Sequence, residues 1–276
     1  MGKFFVGSIA MTLMALKQKF KYGLFIPRKV TRKPKEKDSV ISDLFPIRST
    51  GKWSTFFEVL NVPALLNGSF MVSERQKMKF VFFDSSGRVV GEKIISAPSK
   101  ARETFELDET FFKRCSDAAT FSVFHLDYEC STDIGESYIA ERGYTGFKRN
   151  DLPIKAYVHG NLDAVGLSRD SLEMLGNAGV FPRIYQVQHP LAGSALYEFF
   201  IVNPCAKRVR LRFELRTENG KWRPIETFSL NPRGSRTIPV SVEGNEVKFI
   251  RVVSRLYLGR PVVFRNTESS LDVFHG

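Results

Sequence analysis

Two histidines end apolar runs of similar build, Ala156-Tyr-Val-His159-Gly160 and Leu271-Asp-Val-Phe-His275-Gly276. A ring that titrates near neutral pH and carries a free lone pair could act as a general base or a metal ligand. At the end of a strand, the same ring nitrogen can instead satisfy a loose backbone carbonyl. The pairs Arg149-Asn150 and Arg265-Asn266, lying just upstream, can fasten a turn through side-chain to backbone hydrogen bonds. The spacing favours this structural reading.

The other chemically capable residues are scattered. His125 and His189 complete the four histidines, and no HExxH, HxH or mixed His/Cys cluster occurs. Neither a phosphate-binding glycine loop nor a nucleophile elbow with suitable partners is found. Cys115, Cys130 and Cys205 are odd in number and form no CxxC; a Cys115–Cys130 bridge stays open, and a reducing compartment is the simpler assumption. The expectation is therefore a protein without catalytic residues, cofactor or metal.

Two features could hold a ligand or partner. Asp127, Glu129, Asp133 and Glu136, with Glu141, make the one acidic stretch of a basic chain. It satisfies calcium-loop spacing only loosely, so a solvated loop or a docking surface for a basic partner is the better reading. Trp222, just past the Asn219-Gly220 turn, could stack on a sugar together with Tyr138 or Tyr144, although cross-strand packing explains it as well.

The elements that must position these residues read as short strands. Lys79-Phe-Val-Phe-Phe83 is a continuous apolar run, and Arg208-Val-Arg-Leu-Arg-Phe-Glu-Leu-Arg216 alternates strictly, one face dry and one wet. An internal repeat organises them. Gly143, Arg149, Asn150, His159 and Gly160 recur as Gly259, Arg265, Asn266, His275 and Gly276, all at an offset of 116. Upstream, the turn Asp84-Ser-Ser-Gly87-Arg88 answers Glu218-Asn219-Gly220-Lys221, and Pro98 answers Pro232. The first copy then carries an insertion at about 127–141.

These patterns predict a mainly β protein: two tandem immunoglobulin-like or fibronectin-like β-sandwich modules, over 53–161 and 183–276. Residues 162–182 form a linker in which Leu167–Gly176 reads as a short helix capped by Ser168. Residues 1–52 are an arm and linker, opening with a short helix.

Charge is divided unevenly. Of the net +12, the first 37 residues hold ten Lys or Arg against Glu36, or +9, which leaves +3 for the rest. Phe4 to Leu16 carries no charge; as a helix it would rise only about 20 Å, short of the roughly 30 Å of a bilayer core. No small-x-small cleavage site follows it, and Val6 stands where a myristoylation signal wants Ser or Thr. Lys3, Phe4, Phe5, Lys17, Lys19, Lys21, Arg28, Lys29, Arg32 and Lys33 form the candidate anchoring arm, suited to a membrane interface or a groove on a partner.

The functional expectation is a non-catalytic binding or assembly subunit, held to an anionic membrane surface or a larger protein complex through residues 1–37. Carbohydrate binding at surface polysaccharide is the alternative, and nucleic-acid binding through the arm a further one, weakened by the balanced charge of the body. A cytoplasmic or membrane-peripheral location is expected, with secretion left open.

Overall fold

Runs rich in Phe, Val and Ile, punctuated by Gly, Asn and Asp turns, build strands almost throughout the computed structural model, which describes residues 29–49, 51–60, 76–98, 102–112, 119–126, 143–160 and 164–276. In chain order these are β1 (Val40–Ser42), β2 (Phe45–Pro46), β3 (Trp53–Leu60), β4 (Lys77–Phe83), β5 (Val89–Ser96), β6 (Arg102–Glu106) and β7 (Thr120–Leu126). Then follow β8 (Tyr144–Arg149), β9 (Lys155–His159), β10 (Val165–Ser168), β11 (Ser171–Met174), β12 (Ala178–Gln186), β13 (Leu191–Ala192) and β14 (Ala195–Val202). The last are β15 (Val209–Arg216), β16 (Trp222–Leu230), β17 (Ser235–Val242), β18 (Val247–Lys248), β19 (Ile250–Leu256), β20 (Val262–Asn266) and β21 (Leu271–His275). No helix occurs among the described residues.

Among the described residues six antiparallel sheets form, five of them the blades of a five-bladed β-propeller and the sixth the short pair β13-β18. Blade 1 is β1-β10-β11, blade 2 is β2-β7-β4-β5, blade 3 is β6-β3-β8-β9, blade 4 is β17-β14-β20-β21 and blade 5 is β12-β19-β15-β16. Each packs face to face on the next. Val81, Phe83 and Phe124 meet Val165 and Leu167 between blades 1 and 2, and Phe80, Phe82 and Phe121 meet Phe57 and Val59 between 2 and 3. Phe147 meets Phe264 between 3 and 4, and Phe199 meets Leu211 and Phe213 between 4 and 5. A bridge from Gly176, past the end of blade 1, to Cys205, past β14, ties the first blade to the far side.

This overturns the expectation of two tandem immunoglobulin-like or fibronectin-like sandwiches. A sandwich wets the outer face of both its sheets. Here blades 2, 3 and 4 bury both faces, and six of the seven residues of β4 are buried. The continuous run Lys79–Phe83 is the mark of a strand covered on both sides.

Two pairs of blades share a strand order. Blade 3 runs β6-β3-β8-β9 where blade 4 runs β17-β14-β20-β21, and blade 2 runs β2-β7-β4-β5 where blade 5 runs β12-β19-β15-β16. The turns agree in detail. Gly87 and Gly220 both sit at positive φ, 87° and 78°, and close the same pair of backbone hydrogen bonds, Gly87 N to Asp84 O and Gly220 N to Thr217 O, each 2.9 Å.

The short helix expected over Leu167–Gly176 is instead the β10–β11 hairpin. Arg169 and Asp170 both adopt positive φ, 45° and 64°, as a tight two-residue hairpin turn requires. Asp170 is fixed there by the Lys79 ammonium at 3.1 Å, and Ser168 Oγ donates to Asp38 at 2.9 Å. The opening helix expected within residues 1–16 lies outside the described residues.

Candidate functional site

The two hairpins that carry the repeated motif, β8–β9 and β20–β21, lie against each other across the blade 3–blade 4 boundary. His159 ends β9 opposite Tyr144, and His275 ends β21 opposite Val262. Their rings stack at a tilt, with centroids 4.7 Å apart. His275 Nε2 donates to the His159 carbonyl at 3.2 Å, and His159 Nδ1 bonds to the Gly160 carbonyl. Burial pushes the His275 ring down to about 4, helped by the nearby positive charge of Arg260 and by His159. The ring is thus neutral at pH 7 with its proton on Nε2, and Nδ1 is buried without a partner among the described residues.

Of the rest of the motif, Arg149 crosses the same boundary and the others bond within their own blades. Arg149 reaches into the opposite hairpin's turn, donating to the Thr267 carbonyl at 2.7 Å and the Glu268 carbonyl at 3.0 Å, while its Nε holds Asp151. Arg265, its counterpart, stays within its own blade, on Asp272 at 2.9 Å and Tyr197 Oη at 3.2 Å. Asn150 accepts from Ser54 Oγ at 3.3 Å, and Asn266 donates to Glu198 at 2.9 Å. Gly143 and Gly259 are both buried at the entrances to these hairpins.

Glu198 belongs to a lock that the sequence does not announce. Arg48 grips it through two hydrogen bonds of 2.8 Å each, and the guanidinium lies 3.9 Å over the Trp53 ring and 4.7 Å over Phe264. A planar fork on a carboxylate, sandwiched by aromatic rings, joins the segment before blade 3 to blade 4.

Beside the histidine pair, residues from all five blades or their connecting loops converge on one small cavity of about 30 Å³. Ala164, Phe45, His159, Phe200 and Arg260 stand for blades 1 to 5 in turn, with buried Asp43 among them. That volume holds about one water. A carboxylate oxygen of Asp43 lies 1.8 Å from where a side chain at Gly160 would begin, so any side chain there would have to displace Asp43.

The other candidates are dispersed. Trp222 starts β16, half-buried, with the Arg251 guanidinium 4.4 Å over its ring, so one of its stacking faces is already taken. Asp127, Glu129, Asp133 and Glu136 lie outside the described residues, as do Lys3, Phe4, Phe5, Lys17, Lys19, Lys21 and Arg28. Of the arm, Lys29, Arg32 and Lys33 are described. The Lys29 carbonyl accepts from Asn177 at 2.8 Å, and Arg32 pairs with Glu173 and the Met174 carbonyl, so the arm's last residues lie along the end of blade 1. Cys205 is a buried free thiol whose burial raises its pKa to about 11, while Cys115 and Cys130 lie outside the described residues. No group of three or more His, Cys, Asp or Glu that could hold a metal ion exists among the described residues. Among them, too, no helix is long and apolar enough to cross a membrane.

What sequence reasoning missed is Arg48–Glu198, Asp43 and Arg260, whose partners are remote in sequence, and an arginine field on blade 5. That field had a signal, since the wet side of Arg208–Arg216 is almost all arginine. No protein-family model matches the chain, and no curated protein sequence matches it.

Proposed function

We propose that the chain is a non-catalytic binding or assembly subunit, its β body presenting surfaces to partners and its cationic arm, residues 1–37, anchoring it to an anionic membrane surface or a larger protein complex. A β-propeller commonly mediates protein binding or assembly, and the body is compatible with that role. The observation that carries the reading is the employment of the recurring His and Arg residues as mortar. His275 is spent on a backbone carbonyl and Arg149 on two others.

The arm supports the anchoring half through its charge, +9 over 37 residues. Each Lys or Arg near an anionic bilayer contributes about 1 kcal/mol of attraction. Flotation of the full chain with vesicles containing 30% phosphatidylserine tests it. The chain floats with these vesicles and not with neutral ones, and the triple change Lys17→Glu, Lys19→Glu and Lys21→Glu releases it. A chain that neither floats nor co-purifies with a protein partner contradicts the proposal. Carbohydrate binding is less well supported, because Arg251 already covers a face of Trp222.

A further inference from the structure

The outer face of blade 5 carries a cluster of arginines. Register places the side chains. Arg251 pairs with Gln186 and Glu214, and Val253 with Ile184 and Arg212, so these residues share one face, while Val252, Leu211 and Phe213 turn into the core. Alternation adds Arg210, Arg216 and Arg255 to the same face. Five guanidinium groups therefore stand in one field. The only carboxylate among them, Glu214, is 3% exposed and already held by Arg212 and Arg251. The field keeps +4. Arg210 and Arg216 have no acceptor among the described residues.

One exposed apolar margin flanks the field. The edge strand β12 bulges between Ala178 and Arg183, leaving Val180 68%, Phe181 66% and Ile184 62% exposed. Along β15 Arg210 and Arg212 stand about 6.7 Å apart, Arg216 follows about 13 Å beyond with Glu214 between, and adjacent strands lie about 4.8 Å apart.

We infer that this face binds single-stranded nucleic acid, its arginines gripping phosphates and Phe181 stacking on a base at the margin. Guanidinium forks match phosphate oxygens bidentately, and aromatic rings beside a cationic track are how single strands are held without sequence preference. The near balance of the whole body conceals this face, because the acids that offset the arginines sit elsewhere. The site is separate from the arm and does not depend on the anchoring proposed above.

The test is fluorescence anisotropy of the full chain with a labelled 20-nucleotide oligo(U) and oligo(dT), titrated in salt. Arg210→Glu with Arg216→Glu weakens binding roughly tenfold or more, and lowers the slope of log affinity against log salt by about 1.4, two phosphate contacts on a single strand. The same change of charge at Lys52→Glu with Lys77→Glu, on blades 3 and 2, leaves binding as it was. Phe181→Ala weakens it roughly fivefold or more. Unaltered binding by the blade 5 variant, with circular dichroism confirming its fold, overturns the inference. So does binding that vanishes with the arm's Lys17, Lys19 and Lys21 reversed and not with the sheet's arginines. Loss of binding to phosphatidylserine vesicles alone, with oligonucleotide affinity intact, overturns it too.

Discussion

His159 and His275 occupy the same place in the two copies of the repeat, 116 positions apart in sequence, and stack on each other with ring centroids 4.7 Å apart. The residues that most resemble an active site thus form a seam between copies. His275 must stay neutral to sit there, which gives the seam a pH dependence. Its folded pKa, about 4, is depressed below the unfolded value near 6.5, so the unfolded chain takes up a proton that the folded one refuses. The stability it allows is fully present above pH 6.5, falls as pH drops from 6.5 to 4 and levels off below. After allowance for solvent screening the loss is about 1–2 kcal/mol. Urea midpoints measured from pH 7 to pH 4.5 should fall more steeply for the native chain than for His275→Gln.

A second seam can be broken by chemistry. Removing one partner of a mostly buried charged pair leaves the other desolvated and alone. Glu198→Ala strands Arg48 and the Asn266 amide together. It should cost about 3 kcal/mol in denaturant unfolding, with Glu198→Gln costing less because one donor keeps an acceptor.

The repeat turns give a steric prediction. Gly87, in the turn of the first copy, presses on the Pro232 carbonyl of the second, 2.0 Å from where a Cβ would stand, and its φ is +87°. Gly87→Ala should therefore destabilise by about 2–4 kcal/mol. Gly244, at φ +54° with open space around it, should lose much less on the same change in a parallel thermal melt.

How far this was legible in the sequence follows from the range of each signal. Turn chemistry is local, so the Asp84–Arg88 and Glu218–Lys221 turns and both Arg-Asn…His-Gly hairpins could be found from residues alone. Which sheet covers which face is tertiary. Phe82 and Phe83, adjacent in sequence, face different neighbouring blades, and only the unbroken apolar run hinted that β4 has no wet side. Leu167–Gly176 has a helix's composition, yet Lys79 and Asp38, distant in sequence, hold its turn residues as a hairpin. Arg48 and Glu198 stand 150 positions apart and carry no local mark. The blade 5 arginines were visible as an alternation, but averaging charge over the whole body hid their segregation.

Cysteine reactivity checks the packing at the join of blade 1 to the far side. With its pKa raised to about 11 and its sulfur buried, Cys205 should resist iodoacetamide in the native protein at pH 8. It should label readily in denaturant, as followed by peptide mapping. Rapid native labelling at Cys205 would mean that the loop after β14 opens.

The most direct test of the binding-subunit account is purification of the native protein from its own cells in mild detergent, followed by sizing and mass spectrometry of what accompanies it. The account predicts migration with a larger assembly or with membrane, dependent on the arm's lysines. Migration as a lone 31.4 kDa species, free of both, would contradict it.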